Sequence, residues 1–542
     1  MKRILKIGAK VLMITVLIVF SLAICFTIYV NQILVITEPP IEIEVAGDAE
    51  GHISKNELGI WEIYLKGSPY DRGVKYGELT SVLLRKQEDI FVEQLHKFVP
   101  NTFFQKFLRI LIGFFNRNII YHIPTEYSHE IYGVSQSFSE EYNYFLPKFM
   151  RILNYHAAHD LGHALNDYSL VGCTSFGVVD TTDGRRDLLI GRNFDFYVGD
   201  EFAERKLLMF LDPSTGYSFA SYSWAGFMGV ASGMNEKGLS VTINSAMSTP
   251  PTSAKTPISL LAREILQYSQ NLEEAIKIAE KREVFVSEII MVGSKEDGGI
   301  VLIEKSPTEM GVYFMEGNRI ICSNHYQSST FSSDEMNVYN INHSESLSRY
   351  IRVEELVPES GAINIEGVVA VLRDQYDVGG DTLGMGNPKA INQLMAHHSV
   401  VFDNQNIIMY VSTNDWQLGP YAGYDLTRVF ETGKIEIMDT IPSSLFLQSE
   451  GYESFMFFKK IKSRINNHLV FGTKLNLDKI TIEAFISSNS ESYMTYEILG
   501  NYYLHHEDIE SADNMFNMAL SKSIPSTLIE ENLKALISSY SN

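Results

Sequence analysis

Three side chains in one stretch of this sequence could do covalent chemistry together: the thiol of Cys173, the guanidinium of Arg192 and the carboxylate of Asp195. From Cys173 the chain reads as a strand, C-T-S-F-G-V-V. A polar turn over Asp180–Arg186 comes next, and then a second strand over Asp187–Asn193. Paired as an antiparallel hairpin, position 173 lies opposite roughly position 193, which brings Arg192 and Asp195 beside the thiol. A guanidinium favours the thiolate, and a lowered thiol pKa is what makes a cysteine a nucleophile. Taken alone, a single cysteine in a strand is more often an inert core residue, and Arg192 with Asp195 could be a structural ion pair. The other cysteines are Cys25 and Cys322, so neither a disulfide framework nor a cysteine-rich zinc site is available.

The elements that must carry this corner are legible in outline. At 542 residues the chain has room for several domains. Hydrophobic residues at 45% and aromatics at 12% exclude general disorder. A net charge of −22 repels phosphate backbones, so no nucleic-acid partner is expected. Residues 1–37 read as a cytoplasmic stub and membrane anchor. Lys2, Arg3, Lys6 and Lys10 precede the apolar run Val11–Val30, whose length suits the ~20 residues of a bilayer-crossing helix. Basic residues on the short flank predict a single-pass protein with a cytoplasmic N-terminus and an extracytoplasmic catalytic block. The rival is a cleaved signal peptide, whose apolar core would be shorter. Residues 38–172 read as mainly helical, with periodic stretches at Glu78–Phe98, Asn101–Asn116 and Thr125–Glu141.

At Gly172 the texture changes to short strands between turns, joined by pairs of helices. Residues 173–440 are thus expected to form an α+β block with stacked sheets. Residues 441–542 read as a helical tail. Tyr496, Leu499, Gly500, Tyr503, Ala512, Phe516, Ala519 and Pro525 fall near the spacing of one tetratricopeptide unit, which could recruit a protein partner. An ordinary helical hairpin docked on the block is the alternative.

The strings around the cysteine carry a resemblance. Gly172-Cys173-Thr-Ser-Phe, Gly191-Arg192-Asn-Phe-Asp195 and Gly233-Met-Asn-Glu-Lys-Gly238-Leu…Asn244 are similar to N-terminal-nucleophile cysteine hydrolases of the choloylglycine hydrolase and isopenicillin N acyltransferase kind. Cys322-Ser323-Asn324-His325 and Leu347-Ser348-Arg349-Tyr350 come later in the same order. The likeness runs from about Leu65 to about Phe430, and the long segment before the cysteine resembles the acyltransferase branch. The resemblance implies a four-layer αββα fold and a self-cut between Gly172 and Cys173. Cys173 would become the nucleophile and its freed α-amine the base, such amines having a pKa near 8. Asp195 would hold that amine, Arg192 would face the thiolate, Asn244 and Asn324 would donate to the oxyanion, and Arg349 would complete the electrostatic frame. The implied activity is hydrolysis of a small N-acyl amide through a cysteinyl thioester, without cofactor or metal. Transfer to an amine or to coenzyme A is the alternative. An anchored enzyme outside the cytoplasm favours water as acceptor. A membrane-tethered scaffold without catalysis is the reading of another class, and it would not need the complete set of site residues.

Other signals carry less. His156, His159 and His163 share a helix face but precede the cut and have few carboxylates nearby. The glycine-rich stretch Gly379–Gly386 has no strand before it and is no dinucleotide loop. Cys322 reads as a strand filler, and His397 and His398 receive no chemistry. Phe103–Phe115 is apolar enough to face lipid or cover an acyl chain, though a buried helix suits its length better.

Overall fold

A computed structural model describes residues 13–18, 20–22, 24–26, 28–29, 35–99, 101–164, 172–181, 186–197, 199–247, 251, 253–413 and 415–540. Among these residues, sixteen strands build two sheets. The first is nine-stranded. It holds β1 (Glu50–Lys55), β2 (Trp61–Gly67), β5 (Lys206–Pro213), β6 (Phe219–Trp224), β7 (Ser232–Asn235), β8 (Leu239–Ser245), β9 (Glu288–Ser294), β10 (Gly299–Lys305) and β11 (Met310–Phe314), in that spatial order. The second runs β12 (Arg319–Cys322), β3 (Thr174–Asp180), β4 (Asp187–Phe194), β13 (His398–Asp403), β14 (Ile408–Ser412), β15 (Tyr421–Asp425), β16 (Asp439–Ile441). Among the described residues only β2 and β5 pair in parallel; the other pairings are antiparallel.

The strands are buried on both faces, so each sheet must be covered twice. Leu208, Phe210 and Met291 of the first sheet meet Ile190, Phe402 and Met409 of the second in one core between them. Gly177 lets the sheets close up, since a Cβ there would lie 2.1 Å from Ile300 Cδ1. The outer face of the first sheet packs on helices Pro69–Phe98, Thr125–Ser135, Lys148–Ala164, Ile258–Tyr268 and Leu272–Lys281. The outer face of the second packs on helices Ser346–Leu356 and Ile365–Leu372. The result is helix, sheet, sheet, helix.

Residues 38–172 are woven into this block rather than laid upon it. They contribute β1 and β2, and Glu130 is buried between Arg72 and Arg263, the latter from beyond the expected cut. Met228 N donates to His156 Nε2 at 2.9 Å, and His156 Nδ1 lies 2.8 Å from the Ile152 carbonyl. That ring is therefore occupied by structure; the side chains of His159 and His163 lie outside the described residues.

Helix Thr102–Asn116 differs from the buried helix expected there. Phe104, Phe107, Leu111 and Phe114 are about half exposed along one face, while Phe115 packs edge-on against Phe285. In the tail, helices Tyr493–His505 and Ile509–Leu520 form a tight pair in which a Cβ on Gly500 would lie 2.5 Å from the Phe516 ring.

The N-terminal expectation requires correction. Among the described residues no helix is long and apolar enough to cross a membrane. Within Val11–Val30, residues 11, 12, 19, 23, 27 and 30 lie outside the described residues. The helical pieces 13–18, 20–22, 24–26 and 28–29 each fall short of the ~20 residues a bilayer demands. The long helices Pro69–Phe98 and Glu450–Phe471 are too rich in charge. The transmembrane helix in the expected fold class, and the single-pass membrane placement drawn from it, are therefore withdrawn.

Candidate active site

The β3–β4 hairpin sets the site. Thr174 pairs with Asn193 and Ser175 with Arg192, one residue off the register expected from sequence. Residues 182–185 of its turn lie outside the described residues. Opposed residues share a face, so Ser175 and Arg192 both point across to the first sheet. There Arg192 Nη1 donates to Ser232 Oγ at 2.6 Å, its Nη2 donates to the Ile243 carbonyl, and the same Nη2 sits 3.6 Å from Cys173 Sγ. Its guanidinium also covers the Phe194 ring at 4.2 Å. Cys173 itself is buried. Burial pushes its thiol up to about 11, opposed by the Arg192 charge and the Asp195 backbone amide.

Asp195 stands at the end of β4. Its carbonyl accepts from Gly172 N at 3.1 Å, closing the hairpin mouth. Both carboxylate oxygens are buried without a hydrogen-bond donor among the described residues. Burial raises this carboxyl to about 7, although Arg349 and Arg192 pull it down. A buried carboxylate with no donor is costly, and such an orphan calls for an explanation.

β12 delivers the next element. Cys322 pairs with Ser175, so the chain beyond it arrives level with Cys173. Asn324 Nδ2 donates to the Ser245 carbonyl at 2.8 Å and to Ser245 Oγ at 2.9 Å. Arg349, on helix Ser346–Leu356, donates to the Cys173 carbonyl at 2.6 Å, to Thr174 Oγ1 at 3.1 Å and to Asn324 Oδ1 at 2.8 Å. Asn244 accepts from Ser175 Oγ at 2.8 Å and donates to the carbonyls of Cys322 and Ser323, each at 3.1 Å. The structure thus gathers Cys173, Arg192, Asp195, Asn324 and Arg349 around one bond, while the Asn244 amide is engaged with the β12 turn.

Several neighbours were not legible beforehand. Ser346 Oγ accepts from Asn324 N at 2.8 Å and lies 2.8 Å from His325 Nδ1. Behind Arg192, Ser232 Oγ meets His398 Nε2 at 2.9 Å, and His398 Nδ1 meets His397 Nδ1 at 2.9 Å. Burial holds both imidazoles well below their ordinary range, so they are neutral polar links. Gln393 donates from Nε2 to the Gly172 carbonyl at 2.6 Å. Nothing in the string I-N-Q-L-M-A announces that contact; only the fold places it.

Known proteins resemble the chain in its central part. Residues 181–380 match the family model of acyl-coenzyme A:6-aminopenicillanic acid acyl-transferase. An uncharacterized protein of Archaeoglobus fulgidus is 28% identical over 288 residues, covering 50% of this chain and 47% of that protein. The chain thus spans about half the length of the curated relative it matches. Among solved structures, an ortholog of N-acylethanolamine-hydrolyzing acid amidase from Caenorhabditis elegans is similar at 16% identity and a TM-score of 0.31, over 43% of this chain and 93% of that one. Penicillin V acylase from Agrobacterium tumefaciens is similar at 16% identity and 0.32, over 47% and 87%. A variant of conjugated bile acid hydrolase from Clostridium perfringens gives 14% and 0.32, over 50% and 98%. The matched segment holds Arg192, Asp195, Asn244, Asn324 and Arg349 and begins eight residues after Cys173 (181 against 173). Over residues 181–380 the chain is identified as a member of the acyl-coenzyme A:6-aminopenicillanic acid acyl-transferase family.

Proposed function

We propose that this protein is an N-terminal-nucleophile cysteine enzyme that cuts itself between Gly172 and Cys173 and then transfers the acyl group of a small N-acyl amide through a cysteinyl thioester. The observation that carries the reading is the pair of donorless oxygens on Asp195, buried beside the bond whose cleavage creates an ammonium group. In the uncut chain that carboxyl has no hydrogen-bond partner among the described residues. In the cut protein the α-ammonium of Cys173 would supply one, and the same amine, once neutral, would take the thiol proton.

Each role rests on a contact. Cys173 Sγ attacks the substrate carbonyl, with Arg192 at 3.6 Å stabilising the thiolate. Asn324 donates to the oxyanion from Nδ2, the atom now held by Ser245. Arg349 fixes the Cys173 carbonyl and the Asn324 amide together. Asn244, through the carbonyls of Cys322 and Ser323, positions the turn that carries Asn324. The tetrahedral adduct collapses to a thioester as the amine leaves with the proton. Water then frees the acid.

Transfer to an acceptor amine or to coenzyme A is the second reading. It is favoured by the family matched at 181–380, and withdrawing the membrane anchor removes the ground for preferring water. Residues 1–37, 38–172, 173–440 and 441–542 are proposed as working divisions of the chain, the second becoming the smaller subunit after the cut.

The test is N-terminal sequencing of the purified protein beside its Cys173→Ala variant, and then amine release from a panel of N-acyl amino acids, fatty amides and penicillins. A fragment beginning at Cys173, absent from the alanine variant, is expected. An alanine variant still cut at 172/173 would mean that an external protease does the work and that the self-processing reading is wrong.

A further inference from the structure

Two oxyanions arise in the proposed life of this protein, one on the Gly172 carbonyl during self-cleavage and one on the substrate during turnover. We propose that Gln393 is the oxyanion donor of the first. This rests on the proposed cut at 172/173 and assigns that step a catalytic residue of its own.

Gln393 is buried and donates from Nε2 to the Gly172 oxygen at 2.6 Å. That oxygen takes on negative charge when Cys173 Sγ adds to the carbonyl carbon. The amides expected to serve as oxyanion donors are engaged elsewhere in the uncut chain: Asn324 with Ser245, Asn244 with Cys322 and Ser323. Glycine at 172 is required by this contact, because a Cβ there would lie 2.7 Å from Gln393 Nε2.

The glutamine is also held in place. Asn392 N donates to the Asp374 carbonyl at 2.8 Å, and its side chain accepts from Leu394 N at 2.9 Å. Asn193, on β4, donates to the Ile391 carbonyl at 2.9 Å. Leu394 has φ of 53°, a left-handed conformation that costs a leucine about 1–3 kcal/mol and persists only where surroundings impose it. The surroundings are Phe455, Phe458 and Ile461 of the tail, in whose core Leu394 is buried. Strain of this kind clusters where a side chain must be aimed.

The step balances without a cofactor. Sγ bonds to the Gly172 carbon while the electron pair moves onto the oxygen held by Gln393. Collapse breaks the carbon–nitrogen bond, and the thiol proton passes to the departing Cys173 nitrogen. Water then adds to the thioester, Sγ leaves and is reprotonated, and a Gly172 carboxylate and a Cys173 ammonium remain.

The experiment tracks the cut in freshly purified full-length protein by intact mass. Wild type is compared with Cys173→Ala, Gln393→Met and Gln393→Glu. Methionine keeps the volume and glutamate the shape, and both remove the Nε2 donor. Both variants are expected to cut about a hundredfold or more slowly than wild type, with the melting temperature of the precursor unchanged. If one variant fails to fold, the other is read in the same way, and a folded precursor is scored by its melt. A Gln393 variant cut at the wild-type rate overturns this proposal alone. Wild type left whole, or Cys173→Ala cut, overturns the self-processing reading beneath it.

Discussion

Arg349 donates from Nη2 to Oδ1 of Asn324 at 2.8 Å while its Nη1 holds the Cys173 carbonyl at 2.6 Å. One guanidinium therefore couples the nucleophile's backbone to the orientation of the amide beside it. With Oδ1 turned to Arg349, the Asn324 Nδ2 group, a pure donor, faces the other way, toward Ser245.

That coupling predicts a separable defect. Asn324→Ala removes the donor and leaves Cys173, Arg192 and Asp195 in place. In whatever fraction matures, the thiol should still react with iodoacetamide, since alkylation develops no oxyanion. Amide turnover should fall by about 10²–10³-fold. Turnover at the wild-type rate would remove Asn324 from the oxyanion site and leave Arg349 gripping a structural amide.

Asp195 gives a pH signature in the uncut chain. Burial raises its carboxyl from 3.8 to about 7, so between those values the folded chain keeps a proton that the unfolded chain has lost. Its contribution to stability is complete below the lower value and is lost as pH rises through the upper one. On a Cys173→Ala background, Asp195→Asn should therefore melt with its parent at pH 5 and above it at pH 8. The gap is on the order of a few kcal/mol, each pKa unit being worth about 1.4 kcal/mol. Thermal melts across that range decide it. An asparagine variant weaker at pH 8 would mean that the carboxylate is satisfied.

Much of the second sheet could be read from residues. The change of texture at Gly172 does mark the start of β3, and the expected hairpin pairing lies one residue from the observed Thr174–Asn193. Arg192 and Asp195 emerge from that local pairing alone. Asn324 and Arg349 came through the family likeness, because their approach to Cys173 depends on β12 and a helix far along the chain. β1 and β2 were not legible as sheet members, since β2 joins by a parallel, long-range pairing to β5 that no local pattern signals. Gln393 and Ser232 carry no motif. Hydropathy misled at the N-terminus, where twenty apolar residues suit a membrane span by length and the described helices do not.

The ion cluster at Glu130 governs whether the two halves stay together once the chain is cut. Arg72 and Arg263 both meet this carboxylate, and all three side chains are fully buried. Together with the β2–β5 pairing, this should keep residues before 172 bound after the backbone is broken. Both fragments should co-elute on size exclusion without denaturant. Glu130→Gln strands two buried cations, a defect worth roughly 3–5 kcal/mol, and should lower the melting temperature and loosen the fragments. Fragments of wild type that separate under native conditions would show that the segment ahead of Cys173 is a detachable leader.

The tail can be tested through Gly384. This residue has φ of 36°, and a Cβ there would lie 2.3 Å from Ser492 N and 2.5 Å from its Cα, at the start of helix Tyr493–His505. The loop carrying Gly384 continues to Asn387, which donates to the Ser523 carbonyl at 2.9 Å, and on to Gln393 and Leu394. Both partners at Gly384 are backbone atoms, so neither can swing aside; the loop and the tail must part. Gly384→Val should therefore leave the two sheets folded, raise hydrogen exchange over 384–396, and slow the cut at 172/173 at least tenfold. A slowing of that size requires the loosened loop to withdraw most of the stabilisation of one oxyanion donor, which is worth about 2.7–4 kcal/mol. Faster exchange with an unchanged rate of cutting would show that the tail braces the loop without governing Gln393. Unchanged exchange would show that the contact at Ser492 is too weak to brace it.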